Sequence, residues 1–135
     1  MQPIEVVRHY IATVESRDAA AVAECFTAHA SLRNMPHEPA VGRAAIRALY
    51  EPILARSTRV QWDVHTVAAT GDHVLAERTD RFWIDGAEYA VQCNGVFVIE
   101  GDLIADVRDY VDLGVWRARL GDVLTSVPTI EGAEG

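Results

Sequence analysis

From Arg59 onward the chain reads as four β-rich runs, about 60–69, 73–84, 88–99 and 103–113. They are joined only by Thr70-Gly71-Asp72, Asp85-Gly86 and Glu100-Gly101-Asp102. Links this short connect antiparallel neighbours, because a parallel return needs about a dozen residues or more. Asp85-Gly86 suits a two-residue hairpin whose central positions take positive φ. The second part of the chain is therefore expected to be an antiparallel meander.

The part before it has helical character. Ile4, Val7, Tyr10-Ile11 and Val14 recur at helical spacing behind Pro3, which predicts a helix over 3–15. Asp18 suits the N-cap of a second helix, Ala19 to Phe26. A short strand, about Ala30 to Asn34, stops at Met35-Pro36, and His37 to Val41 reads as a loop. A third helix over Arg43 to Ala55 carries Pro52, expected to bend or shorten its last turn. Val115 to Leu120 suits a terminal helix. Helices first and a meander afterwards give the α+β class. The expected form is a curved antiparallel sheet making a cone, with the N-terminal helices closing one end and the inner face available as a pocket. The 135 residues suffice for one domain. It is expected over 1–122, with 123–135 as a flexible tail.

Charge and composition narrow the partners. A formal charge of −8 argues against nucleic acid or an anionic membrane surface, since phosphate binding needs a basic face. No apolar run approaches the roughly 20 residues that span a bilayer. Met1 to Glu5 lacks the basic-then-apolar pattern of a signal peptide. Cys25 and Cys93 form no motif and read as free thiols, so a cytoplasmic location is expected. The five histidines are scattered and none pairs at i, i+4, so neither a metal site nor a cofactor is expected. Hydrophobic residues make up 50% of the chain, which leaves apolar surface for a partner subunit to cover.

Strand alternation picks out the chemistry. In 73–84 one face carries Ala76, Arg78, Asp80, Phe82 and Ile84, so a cation and a carboxylate sit beside a phenyl ring. In 103–113 one face carries Leu103, Ala105, Val107, Asp109 and Val111, and Asp109 is the lone charge on an apolar stripe. A carboxylate so placed needs a partner or a shifted pKa. Leu32 and Asn34 share a face of the short strand. On residue pattern alone, plainer roles stay open. Arg78 and Asp80 could form a surface ion pair, Asp109 could bridge to Arg108 or Arg117, Asn34 could be a turn residue, and Trp62, Trp83 and Trp116 could serve packing or an interface.

Arg33-Asn34-Met35-Pro36, Glu77-Arg78-Thr79-Asp80, Asn94-Gly95-Val96-Phe97 and Val107-Arg108-Asp109-Tyr110-Val111-Asp112-Leu113 together resemble the limonene-1,2-epoxide hydrolase family, within the folds similar to nuclear transport factor 2. The segments occur in that family's order and at closely similar spacing, over roughly residues 3–120. The resemblance implies that Asp109 is a general base, Asp80 a general acid, Arg78 the bridge between them and Asn34 the amide that helps hold an attacking water. It also implies a homodimer. One position departs: the family has a water-binding tyrosine where this chain has Leu32. Leu32, Met35, Phe82 and Val107 are the expected substrate-binding residues, and their character favours a lipophilic cyclic or terpenoid epoxide.

The implied reaction is the one-step addition of water to an epoxide, giving a vicinal diol. The two acids would titrate as a coupled set. An ordered water wants about 2–4 polar partners, and Asn34 and Asp109 meet only the minimum. Gln92, Cys93 or Asn94 could add another. Leu32 beside the base also suits an epoxide-opening cyclase whose nucleophile is a hydroxyl of the substrate. Proton transfer on a ketone, as in steroid isomerases of similar fold, would use the buried aspartate but leaves the arginine unexplained. A non-catalytic cone that binds small molecules and a partner-binding module are the remaining alternatives.

Overall fold

The structure is a computed structural model and describes residues 1–116 and Ala118. The order of elements is α1 (Pro3–Glu15), α2 (Ala19–Glu24), β1 (Phe26–Met35), β2 (Ala40–Val41), α3 (Arg43–Arg56), β3 (Arg59–Thr70), β4 (His73–Ile84), β5 (Ala87–Glu100), β6 (Leu103–Val111) and α4 (Leu113–Trp116). The expected tail, 123–135, lies outside the described residues, as does most of the C-terminal helix expected beyond Trp116.

The meander forms as its short links require. β3, β4, β5 and β6 pair antiparallel in sequence order. Asp85 and Gly86 both take positive φ, 52° and 80°, which matches a primed two-residue hairpin. The sheet as a whole corrects the expectation of a purely antiparallel one. β1 joins β6 in parallel, giving the six-stranded mixed order β2-β1-β6-β5-β4-β3. The chain between β1 and β6 is long enough for a parallel return. β1 is also longer than expected, because Phe26 pairs with Ile104 across a register shift and leaves α2. Residues 40–41 of the expected loop pair with β1 as the short β2.

Register shifts curve the sheet. In β3 the pairing jumps between Val64 and Thr66, so His65 is an extra residue that bends the strand. Another shift falls at Val98/Ile99. α1 buries Val6, Val7, Tyr10, Ile11 and Val14 and packs on β3 through β6. Its last residue, Glu15, accepts a hydrogen bond from the backbone N–H of Trp62 at 3.0 Å, which satisfies a donor on the edge strand. α2 starts at Asp18, whose side chain accepts from Ala21 N at 3.1 Å. α3 runs through Pro52 to Arg56, so the proline does not shorten it. It packs on α2, β1 and β2 and turns Leu49, Tyr50 and Ile53 toward the sheet's inner face. No helix among the described residues is long and apolar enough to cross a membrane.

Candidate active site

The sequence-predicted group converges. Arg78 Nε donates to Asp80 Oδ1 at 2.7 Å, and Arg78 Nη2 donates to Asp80 Oδ2 at 3.2 Å and to Asp109 Oδ2 at 2.9 Å. Arg78 is 1% exposed, Asp80 7% and Asp109 5%, which removes the plainer role of a surface pair. The guanidinium carbon lies 4.6 Å from the centroid of the Trp62 ring and 5.9 Å from that of Phe97, so aromatic faces bracket the cation.

The register explains how residues so distant in sequence meet. β5 lies between β4 and β6, and adjacent strands are about 4.8 Å apart, so the backbones carrying Arg78 and Asp109 are separated by roughly twice that. Gly95 of β5 pairs directly with Asp109. A Cβ there would sit 2.5 Å from Arg78 Nη1, 2.7 Å from Asp109 Oδ1 and 3.0 Å from Phe97 Cε1. Only a residue without a side chain leaves the long guanidinium free to cross β5 and reach Asp109. The parallel β1–β6 pairing places Asn34 opposite Asp109, an adjacency that no local signal in the sequence could reveal.

The electrostatics follow from burial. With both carboxylates ionised, one buried guanidinium faces two negative charges, so the cluster carries net charge −1. Holding one proton neutralises it, and a dry site favours that state. Burial pushes the Asp80 carboxyl up to about 6, against the opposing pull of Arg78. Burial also works against the Arg78 cation, but the charges of Asp109 and Asp80 outweigh it and the net shift is upward. Asp109 Oδ1 and Arg78 Nη1 are buried and have no hydrogen-bond partner within the protein. The Cys93 thiol, a weak donor, is the neighbour that reaches the Asp109 carboxylate, so Asp109 keeps an oxygen able to accept a proton.

The cluster forms the polar end of a pocket lined by Leu32, Asn34, Leu49, Tyr50, Ile53, Trp62, Asp80, Phe82, Val91, Cys93, Asp109 and Val111. Its cavity, about 60 Å³, is several times what one water needs. Two residues expected here are not in the lining. Val107 lies on the same strand face as Asp109 but is enclosed in the core at 0% exposure. Met35 follows Asn34 on β1, so strand alternation turns it to the other face. Of the three residues named as extra polar candidates, Cys93 lines the pocket, while Asn94 is exposed and Gln92 Oε1 accepts from Thr79 on the outer face at 3.2 Å. Burial, then the Asp109 charge, push the Cys93 thiol well up, which keeps it protonated.

Sequence reasoning missed Tyr50 and Trp62. Trp62 reads as a packing group, and Tyr50 belongs to a helical apolar stripe. Both have that character here, but both also line the pocket. The hydroxyls of Tyr50 and of Tyr10 on α1 are hydrogen-bonded to each other in the interior. Burial raises the pKa of both, so both stay neutral phenols.

Residues 7–107 match the SnoaL-like domain, and the chain belongs to that family. Its fold is shared with an LEH-like epoxide hydrolase of M. tuberculosis at 24% identity and TM-score 0.76, over 93% of this chain and 96% of that one. It is shared too with SalBIII, an epoxide hydrolase/cyclase-like enzyme of pyran ring formation in the polyether salinomycin, at 19% identity and TM-score 0.75, over 84% and 92%. A protein of Catenulispora acidiphila with a ketosteroid isomerase-like fold, solved with trimethylamine, matches at 22% identity and TM-score 0.75, over 87% and 92%. At these identities the likeness establishes the fold.

Proposed function

We propose that the protein is an epoxide hydrolase of the limonene-1,2-epoxide hydrolase type, adding water to a lipophilic cyclic or terpenoid epoxide. The observation that carries the reading is that Arg78 Nη2 is shared by Asp80 at 3.2 Å and Asp109 at 2.9 Å, at the end of an apolar pocket. A water held by Asn34 gives a proton to ionised Asp109 as its oxygen bonds to one epoxide carbon. The carbon–oxygen bond of the ring breaks, and protonated Asp80 gives its proton to the leaving oxygen. Before the step the cluster holds a neutral Asp80, a charged Asp109 and the cation; afterwards the two acids have exchanged states. The net buried charge is zero throughout, and Arg78 touches whichever acid is ionised, so no uncompensated charge appears in the dry site. Proton exchange between the acids then restores the starting state.

The cyclase reading has one specific observation in its favour. Leu32 lines the pocket on the same strand face as Asn34, so the wall there is apolar and could pack against a substrate that brings its own hydroxyl. A panel of small cyclic and terpenoid epoxides in heavy-oxygen water separates the readings. The hydrolase gives a diol carrying one label. An unlabelled cyclic ether would establish cyclisation, and tight ligand binding without turnover would establish a binding protein. We further propose a homodimeric, cytoplasmic protein whose domain spans 1–122. A monomeric mass in solution would contradict the dimer.

A further inference from the structure

The Tyr10–Tyr50 pair poses a question of proton inventory. Two phenols carry two hydroxyl protons, and a mutual hydrogen bond uses one. Tyr10 is 0% exposed and Tyr50 8%, and among the described residues neither hydroxyl has a second hydrogen-bond partner in the protein. A buried O–H seeks an acceptor, so where the second proton points matters.

The two directions of the bond are not equivalent. If Tyr50 donates to Tyr10, the spare proton belongs to Tyr10, which is packed edge-on against the rings of Phe26, Tyr50, Trp62 and Phe97. Those four rings crowd the Tyr10 ring, and among the described residues its hydroxyl bonds nothing but Tyr50. If Tyr10 donates to Tyr50, the spare proton belongs to Tyr50, on the pocket wall that also carries Asn34, Asp80 and Asp109. Two of the rings against Tyr10, Trp62 and Phe97, are the same rings that bracket Arg78. The tyrosine pair therefore adjoins the charged cluster, and a negative centre there draws a free hydroxyl proton toward itself.

We infer that Tyr50, oriented by Tyr10, is a third water-holding residue of this pocket, donating its hydroxyl proton to the oxygen held between Asn34 and Asp109. For its chemistry this rests on the hydrolase reading. The water then has a complete set of partners. One proton goes to Asp109 and one to the amide oxygen of Asn34. One lone pair accepts from Tyr50, and the other faces the epoxide carbon. Tyr50 comes from α3, whereas Asn34 and Asp109 come from neighbouring strands, so the three groups approach the oxygen from different sides and fix its direction of attack. Tyr50 is the one hydroxyl in the pocket lining among the described residues. Tyr10 does not line the pocket and is a positioning residue.

Two conservative variants and one structure test this. Tyr50→Phe keeps the ring and removes only the hydroxyl. It is expected to lower kcat about 10- to 100-fold with KM changed less than about threefold, as for loss of one hydrogen-bond donor to a reacting oxygen. Tyr10→Phe breaks the same Tyr–Tyr bond but leaves the Tyr50 hydroxyl, and should lose several-fold less activity at a similar fall in Tm. Equal losses in the two variants, or a Tyr50→Phe enzyme within about twofold of the parent, would reduce the pair to packing and overturn the inference. The second arm does not depend on turnover. A crystal structure at atomic resolution is expected to show an ordered oxygen bonded to Tyr50, Asn34 and Asp109 together, lost or displaced in Tyr50→Phe. An oxygen bonded to Asn34 and Asp109 with Tyr50 out of reach, or no ordered oxygen there, would overturn the inference. If no epoxide is hydrated while that oxygen is present and lost in Tyr50→Phe, the hydrolase reading fails and the role of Tyr50 stands.

Discussion

Strand β4 carries two clusters of the same composition on its two faces. Outside, Arg81 donates to Asp63 at 2.8 Å and to Glu88 at 3.0 Å. Inside, Arg78 donates to Asp80 and Asp109 at closely similar distances. Each is one arginine with two acids, yet they behave in opposite ways. The outer side chains are 30%, 35% and 45% exposed for Arg81, Asp63 and Glu88. There the hydrogen bond from Arg81, helped by Gln61, holds the Asp63 carboxyl below the ordinary aspartate value. Inside, burial overcomes the arginine and lifts Asp80 to about 6. The arginine–acid distances are similar, and burial is the larger difference. Water screens the outer set and tolerates its surplus negative charge; the inner set must manage that surplus in a dry site, and a proton held for donation is the result.

Paired substitutions on the two faces sharpen this contrast. Asp109→Asn is nearly isosteric and removes the proton acceptor. It is expected to cost about 10²- to 10⁴-fold in kcat/KM on an epoxide substrate with the far-ultraviolet circular dichroism unchanged. Asp63→Asn outside should leave kcat/KM within about twofold. Arg78→Met strands two buried acids and should lower stability at pH 7 by about 3–5 kcal/mol in urea titrations, with a smaller loss at pH 5, where Asp80 can be protonated. Arg81→Met should fall within about 1 kcal/mol of the parent at both pH values.

Gly95→Ala comes next. The methyl group collides with Arg78 Nη1 and Asp109 Oδ1, so the cation should be displaced from the base, at about 1–3 kcal/mol in stability and with a disproportionate loss of kcat. Full activity in that variant would show that the bridge across β5 is dispensable.

The pH dependence is the gentlest test. Asp80 has a folded pKa raised above its unfolded one, so the native state binds more protons between about pH 4 and 6. Its contribution to stability is therefore present at low pH and fades as pH rises through about 6. Activity needs Asp80 protonated, so kcat/KM should decline on the alkaline side with a midpoint near 6. The outer Asp63 works the other way, favouring the fold above its depressed pKa and losing that effect as pH falls through it.

How much of this was legible in the sequence depends on the range of the forces involved. Alternation along β4 and β6 placed Arg78 with Asp80 and exposed Asp109 as a lone charge on an apolar stripe, because those are two-residue periodicities within one strand. Asp85-Gly86 announced its hairpin through local φ preferences. The parallel pairing of β1 with β6 is a contact between distant segments and left no local mark, so the sheet was expected to be purely antiparallel. Met35 could have been placed correctly, since alternation opposes it to Asn34. Val107 could not, because depth along a face is set by what packs above it. Gly95 carried the sign of a close approach, a glycine inside a strand, without naming the guanidinium that needs it. Tyr10 and Tyr50 fit the apolar pattern of their helices, and that pattern carries no sign that their hydroxyls meet.

Site-resolved carbon-13 NMR of the aspartate carboxyls, assigned with Asp80→Asn and Asp63→Asn, tests the difference between the two clusters most directly. The Asp80 carboxyl is expected to titrate near pH 6 while Asp63 titrates below the ordinary aspartate value. Asp80 and Asp63 losing their protons together, at or below that ordinary value, would mean that the inner cluster stores no proton at working pH and has none to donate.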